Sequence, residues 1–158
     1  MFVSFIFWYM FRKFIGLAVL VICVSACNKE ESPVIPPVIP SNDELLRSGS
    51  WQLTDHVQVI GANRISIYTA NYPECERDNL FIFGDSSRFI VDEGALKCFS
   101  SSPQRDTIQW ALIGDTDLRI IDDLDTTKRT INSISTSEMK LRFTASNNVV
   151  NELVYTKR

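Results

Sequence analysis

Cysteine has the widest range of chemistry of any residue type in this chain, because a cysteine can bind a metal, act as a nucleophile, form a disulfide or carry a lipid. The chain contains four cysteines. Cys23 and Cys27 lie at the end of an apolar N-terminal stretch, whereas Cys75 and Cys98 flank a phenylalanine-rich segment. The two pairs therefore need separate explanations.

The other residues with catalytic potential do not form a recognisable set. His56 is the single histidine, and it falls on the polar side of the first predicted strand, so we expect a solvated side chain rather than a general base. Asp92 and Glu93 are adjacent, so on a strand they point to opposite faces unless the backbone bulges at Gly94. We therefore predict no catalytic residue and no enzymatic activity.

Metal binding has one candidate, the carboxylates of Asp122, Asp123 and Asp125, which could hold Ca²⁺ through oxygen ligands. The segment lacks EF-hand spacing and a final bidentate glutamate, so a solvated turn is the preferred interpretation. Two cysteines and one distant histidine also make a poor zinc shell. We predict neither a metal site nor a cofactor.

The net charge argues against nucleic acid as a partner. The first 26 residues contain no acidic residue and two basic ones, so their removal leaves 14 basic and 19 acidic residues, a net charge of −5. Phosphate binding needs clustered lysine and arginine, and here the basic residues are scattered singly.

The N-terminus has the pattern of an export signal. Arg12 and Lys13 precede an apolar run of 11 residues, 14–24, which is too short for a membrane-spanning helix of about 20 residues. The following Val24-Ser25-Ala26-Cys27 resembles the bacterial lipobox, and this resemblance implies a signal peptide over 1–26 and a lipid on Cys27, with a plain transmembrane anchor as the alternative. We expect initiation at Met10, which would place the two basic residues at the start.

The segment 27–40 is predicted to be a lipidated, proline-rich tether. Asn28-Lys29-Glu30-Glu31 is similar to the surface-export signal of Bacteroidota lipoproteins, with a solvated polar leader as the alternative interpretation. Residues 32–40 favour an extended polyproline conformation that rises about 3.1 Å per residue. We expect an outer-membrane lipoprotein exposed at the cell surface, with a periplasm-facing orientation as the alternative.

Residues 41–158 are predicted to form one all-β domain preceded by one short helix. Ser41 and Glu44 fit a capping box, and Gly49 is a stop signal. Eight or nine short runs with turn residues between them then indicate a sandwich or an up-and-down barrel. The predicted strands cover residues 51–59, 64–72, 80–83, 88–92, 108–112, 118–121, 128–135, 139–144 and 149–156.

A resemblance to a known family favours the barrel. The lipobox and tether are followed by Gly49-Ser50-Trp51-Gln52-Leu53, Cys75-x-x-Asp78, Asp92-Glu93-Gly94, Cys98 and Trp110. This order resembles the lipocalin-like lipoprotein domains of Bacteroidota. The resemblance implies a small antiparallel barrel, and the ligands of that family are largely unassigned.

We expect a disulfide between Cys75 and Cys98. Cys23 lies in the discarded signal and Cys27 carries the lipid, so the other two cysteines remain for each other in a compartment that permits disulfides. A free pair or a metal site is the rival interpretation.

The expected function is non-enzymatic binding of a small apolar or amphipathic ligand inside a lipid-anchored barrel. The alternative is a structural or protein-interaction module, an accessory subunit of a surface complex, with a filled barrel. A cavity of at least about 300 Å³ favours the ligand, and a closed core excludes it. Seven aromatic residues either fill the barrel or line the mouth of a pocket: Trp51, Phe81, Phe83, Phe89, Trp110, Phe143 and Tyr155.

Overall fold

A computed structural model describes residues 38–123 and 125–158. The predicted signal peptide, the start at Met10, the lipidated Cys27, the export signal and most of the tether lie outside these residues. Within the described ranges, no helix has both the length and the apolar character needed to cross a bilayer.

Nine antiparallel strands and three short helices make up the described domain. The helices are α1 (Asn42–Arg47), α2 (Tyr68–Asn71) and α3 (Glu74–Arg77), and the strands are β1 (Ser50–Ile60), β2 (Asn63–Ser66), β3 (Leu80–Phe83), β4 (Arg88–Asp92), β5 (Arg105–Ile113), β6 (Asp117–Ile121), β7 (Thr126–Ile134), β8 (Glu138–Thr144) and β9 (Val150–Lys157).

Eight of these strands close into an up-and-down barrel, because β1 pairs with β3 along one edge and with β9 along the other. The ninth, β2, forms a hairpin with the second half of β1. The prediction of a small all-β barrel after one short helix is therefore confirmed. We use "lower end" for the end of the barrel at which β1 begins and "upper end" for the opposite one.

Helix α1 begins where the sequence predicted. The hydroxyl of Ser41 accepts from the backbone N–H of Glu44, and the Glu44 carboxylate accepts from the backbone N–H of Ser41, which completes the capping box. Leu46 and Trp51 are fully buried, and the Trp51 indole N–H donates to the Leu46 carbonyl at 2.9 Å. The start of β1 is thereby attached to the helix.

Helix α1 closes the lower end of the barrel by contacting two different turns. The Asn42 amide donates to the carbonyl of Asp115, in the β5–β6 turn, at 2.7 Å. The Arg47 guanidinium pairs with Asp85, in the β3–β4 turn, at 3.0 Å. These contacts are mostly exposed, so they direct the helix across the opening while Leu46 supplies the apolar burial.

Aromatic side chains supply five of the twelve residues of the buried core. Phe83 and Trp110 meet edge to face with ring centroids 5.2 Å apart, and Phe81 and Tyr155 do so at 5.6 Å. All seven predicted aromatic residues belong to the core or pack against it. The buried cluster consists of Leu46, Trp51, Leu53, Phe83, Phe89, Trp110, Leu118, Ile131, Met139, Leu141, Leu153 and Tyr155.

The prediction of a second strand over residues 64–72 is wrong for the second half of that range. Strand β2 ends at Ser66, and Tyr68–Asn71 forms one helical turn instead. Tyr68 donates its hydroxyl hydrogen to the carbonyl of Leu53 at 2.7 Å and packs with Tyr72 against the core. Burial of these two rings favours the turn over further pairing with β1.

The predicted strands 80–83 and 88–92 have the expected bounds and pair as a hairpin, and Cys75 and Cys98 form a disulfide with Cα atoms 5.2 Å apart. The bend after β4 is held against α3, because Asp78 accepts from the backbone N–H groups of Ala95 and Leu96 at 2.7 and 2.9 Å. The disulfide and this carboxylate therefore fix the same loop to the barrel.

Gly94 lies at this bend with φ +66°, and a Cβ there would lie 2.5 Å from the Asp78 carbonyl oxygen. Gly61 has a similar φ of +62°, with open space around it. We expect Gly61→Ala to cost about 1 kcal/mol from the left-handed backbone alone, and Gly94→Ala to cost about 3 kcal/mol because of the added steric conflict. Urea unfolding of both variants measures the difference in stability. Equal losses of unfolding free energy would contradict the predicted steric conflict with Asp78.

Candidate functional site

A cavity of about 170 Å³ lies inside the barrel. Its lining extends from Leu118 and Met139, close to the lower end, to Ile120 and Thr127, close to the upper end. The wall is largely apolar because inward residues of six strands contribute to it. Its apolar members are Phe81, Phe83, Phe89, Leu118, Ile120, Met139, Leu141 and Leu153, and its other members are Thr127, Arg129 and Tyr155.

The volume restricts what the cavity can accept. Pockets for drug-sized ligands measure roughly 300–1,000 Å³. At about 170 Å³ this cavity is smaller than the lower end of that range, which is also the volume at which we expected a cavity to favour a ligand. An apolar cavity of about 150 Å³ nevertheless accepts benzene. The barrel core is therefore neither closed nor roomy, and it suits a molecule about as large as a single ring.

Arg129 places a positive charge in this apolar wall. Its Cζ atom lies 3.9 Å from the ring centroid of Phe143, and its Nη1 donates to the Lys128 carbonyl at 2.9 Å. No carboxylate in the described part of the chain pairs with it. Burial lowers the pKa of Arg129, opposed by the nearby Tyr155 and Tyr72.

Tyr155 is a second polar group in the wall. Its ring is buried against Phe81, and its hydroxyl has no hydrogen-bond partner among the described side chains and backbone groups. Burial raises the pKa of Tyr155 well above its usual range, as does Tyr72, while the charge of Arg129 acts in the opposite direction. The phenol therefore remains a neutral donor at physiological pH.

The expectation that His56 is solvated is wrong, because the imidazole is buried. The cause is a β-bulge: Leu53 pairs with Tyr155 and Asp55 with Val154, so Thr54 has no partner of its own. An extra residue reverses the alternation of faces from there onward. The prediction assumed strict alternation through this bulge and therefore placed His56 on the wrong face.

Both ring nitrogens of His56 have partners. Nε2 lies 3.0 Å from Asn151 Oδ1, and Nδ1 lies 3.2 Å from the Tyr72 hydroxyl. The Asn151 amide donates its N–H to the Val149 carbonyl at 3.0 Å, so its oxygen faces the ring and Nε2 is the donor. The Tyr72 hydroxyl then donates to Nδ1, and His56 has a structural role in this network.

The other predicted candidates have structural roles in turns and bends. Asp92 accepts from the Gly94 backbone N–H and from the side chains of Gln104 and Arg105 at 2.7–3.1 Å. Hydrogen bonds from Gln104 and then Arg105 lower the pKa of its carboxyl group. The Glu93 backbone N–H donates to the Gln104 carbonyl, which extends the pairing beyond β4.

The aspartates between β6 and β7 form an exposed turn. Asp122 accepts from the backbone N–H of Asp123, and Asp125 accepts from that of Thr126, each at 2.7 Å. These carboxylates therefore bond to their neighbours in sequence. In residues 38–123 and 125–158, no cluster of three or more histidine, cysteine or acidic residues has the geometry of a metal site.

The sequence did not reveal a buried carboxylate on the outer face of the barrel. Glu152 of β9 is buried beneath Arg64 of β2 and Arg142 of β8, and Arg142 bonds to it at 3.1 Å. Burial alone would raise the pKa of Glu152, but hydrogen bonds from Arg64 and Arg142 outweigh it and the pKa lies below the ordinary value. This ion-pair network joins β2, β8 and β9.

Comparison with known proteins gives similarity at the level of fold. No family model and no curated protein matches the chain. Among solved structures, it is similar to a lipocalin-like protein from Bacteroides uniformis ATCC 8492, with 14% identity, a TM-score of 0.45, and coverage of 72% of this chain and 99% of that one. An uncharacterized protein from Bacteroides eggerthii DSM 20697 matches with 11% identity, a TM-score of 0.42, and coverage of 70% and 98%.

The strand pairing itself defines the class: an antiparallel up-and-down barrel closed by eight strands, with one additional strand.

We expect Glu152→Gln to destabilise the domain by about 1–3 kcal/mol at pH 7, since it removes a buried, charge-assisted hydrogen-bond acceptor. Because the pKa of Glu152 is lowered on folding, its contribution is present above the unfolded pKa of about 4.3 and is lost as the pH falls through the folded value. Urea unfolding of both proteins at pH 7 and pH 3 checks this.

Glu138→Gln is the matched control, because Glu138 is half exposed and pairs with Lys140 at the surface. We expect it to cost less than about 1 kcal/mol at pH 7. A Glu152→Gln deficit that is the same at both pH values would contradict the assignment.

Proposed function

We propose that this domain is a non-enzymatic binding protein that holds one small apolar or amphipathic molecule inside its barrel. The observation that carries the proposal is the 170 Å³ cavity, whose largely apolar wall includes Arg129, which pairs with no described carboxylate, and Tyr155, whose hydroxyl has no hydrogen-bond partner among the described residues. Apolar lining with a few polar groups is the usual composition of a ligand pocket.

We also propose that the protein is held at the membrane by a lipid on Cys27. The support is the order of basic residues, apolar run and lipobox-like tetrapeptide in the sequence. An outer-membrane lipoprotein facing the cell surface fits the Lys29-Glu30-Glu31 segment, and a periplasm-facing domain is the alternative. The proline-rich segment that follows would separate the barrel from the bilayer.

A binding role is favoured over catalysis by the arrangement of the polar groups. A general base needs a free nitrogen or carboxylate within reach of the reacting atom. Both His56 nitrogens are engaged with Asn151 and Tyr72, and the described wall of the cavity contributes no carboxylate. These contacts support a cavity that holds a molecule without transforming it.

A structural or protein-interaction module is the second candidate, and exposed apolar residues beside the disulfide favour it. Phe99 and Leu96 are 71% and 48% exposed. Single exposed apolar residues are common on protein surfaces, so the internal cavity carries more weight.

Thr127→Phe tests the cavity, because the larger side chain projects into it. We expect the affinity for toluene, measured by NMR titration of the full chain, to fall at least tenfold as the ring occupies the binding volume. Thr130→Phe is the matched control, since Thr130 lies on the same strand with an exposed side chain. The proposed function would be overturned if the wild type bound neither toluene nor its amphipathic analogues benzoate and benzamide.

A further inference from the structure

We propose that the molecule bound in the barrel is a small carboxylate, held by the guanidinium of Arg129 with the hydroxyl of Tyr155 as a second donor. This inference rests on the proposed function, since it specifies the ligand of the same cavity. It follows from three observations: the pairing of the arginines, the donor geometry of Arg129, and the polarity of the cavity wall.

Arg129 combines two properties that no other described arginine shares, because it lines the cavity and forms no ion pair with a carboxylate. Five of the described arginines form such ion pairs, namely Arg47, Arg64, Arg105, Arg119 and Arg142. Three others lack a carboxylate partner but donate to carbonyl or amide oxygens away from the cavity, namely Arg77, Arg88 and Arg158. Arg129 lines the cavity, and the described residues supply it with an aromatic ring and one carbonyl but no carboxylate. Withdrawing a cation from water without a paired anion is unfavourable, so a bound anion would complete the site.

The donor geometry suits a carboxylate. A guanidinium has five N–H donors in a planar fork, and Arg129 uses Nη1 for the Lys128 carbonyl. Nε and Nη2 have no hydrogen-bond partner among the described residues, and neither atom is completely enclosed by the protein. Phe143 covers one face of the guanidinium at 3.9 Å and leaves the edge of the fork uncovered, and a carboxylate can accept from such an edge with two oxygens.

The rest of the cavity defines the body of the ligand. Phe81, Phe89, Ile120 and Leu141 form an apolar wall beside Arg129 and Tyr155. A volume of about 170 Å³ accommodates a compact body near the size of one ring, by comparison with an apolar cavity of about 150 Å³ that binds benzene. The class is therefore short carboxylates with an aromatic or branched aliphatic body, and long-chain fatty acids are too large.

Benzoate and benzamide are the matched probes, since they have the same ring and similar shape and differ in charge. We expect calorimetric titration of the full chain at pH 7 to give at least tenfold tighter binding of benzoate. Arg129→Gln should abolish that preference while benzamide still binds. Tyr155→Phe should weaken benzoate binding severalfold through loss of one donor.

Lys128→Gln is the matched charge control, because Lys128 is the preceding residue of β7 with an exposed side chain, and it should leave the preference unchanged. Arg129→Lys should retain part of the preference, since it keeps the charge and loses the fork. A structural role for Arg129 would lower the Tm of Arg129→Gln, whereas a binding role leaves the Tm unchanged or higher because a desolvated cation is removed.

The outcomes separate the two proposals. Equal binding of benzoate and benzamide to the wild type would overturn the carboxylate assignment and leave the binding function standing. A preference that survives in Arg129→Gln as fully as in Lys128→Gln would also overturn it. If neither probe binds and toluene does not bind, the proposed function fails and this inference fails with it.

Discussion

The pairing of β1 with β9 is the interaction on which the rest of the structure depends. Without it the nine strands would form an open sheet from β2 to β9 with two unpaired edges, and no interior would exist. Strand β1 is long enough to meet β9 along its length while offering its other edge first to β3 and then to β2. One strand therefore both closes the barrel and carries the additional hairpin.

The bulge at Thr54 divides the barrel interior beside β1 into two regions that differ in polarity. Below it, Trp51 and Leu53 face an apolar core sealed by α1. Above it the alternation is reversed, so His56 faces inward, where Asn151 and Tyr72 satisfy its nitrogens. Asp55 stabilises the bulge by accepting from the His56 backbone N–H and the Ser66 hydroxyl at 2.8 and 2.6 Å. The interior beside β1 is therefore apolar below the bulge and polar above it.

The sequence predicted the parts of the fold that obey simple alternation and missed those where the backbone departs from it. The alternating Met139, Leu141 and Phe143 and the hairpin 80–92 were identified, because each position repeats the same face. Strand β7 has a register shift between Ile131 and Ser133, so its alternation of inward and outward residues is broken and its sequence does not show one buried face. Arg129 precedes that shift, so its inward position is set by pairing with β6 and could not be read from local pattern.

Arg129 is also an inward position at which the fold favours an apolar residue and the sequence supplies a charged one. An apolar residue at this position would pack against Leu118, its neighbour across the β6–β7 pair, and would fill space that the barrel leaves empty. The guanidinium instead adjoins a cavity and lacks a carboxylate among the described residues, and we expect this arrangement to cost stability relative to a well-packed apolar residue. Such departures concentrate at functional sites, because a site prepared for a ligand must leave both volume and hydrogen-bonding capacity unused until the ligand arrives.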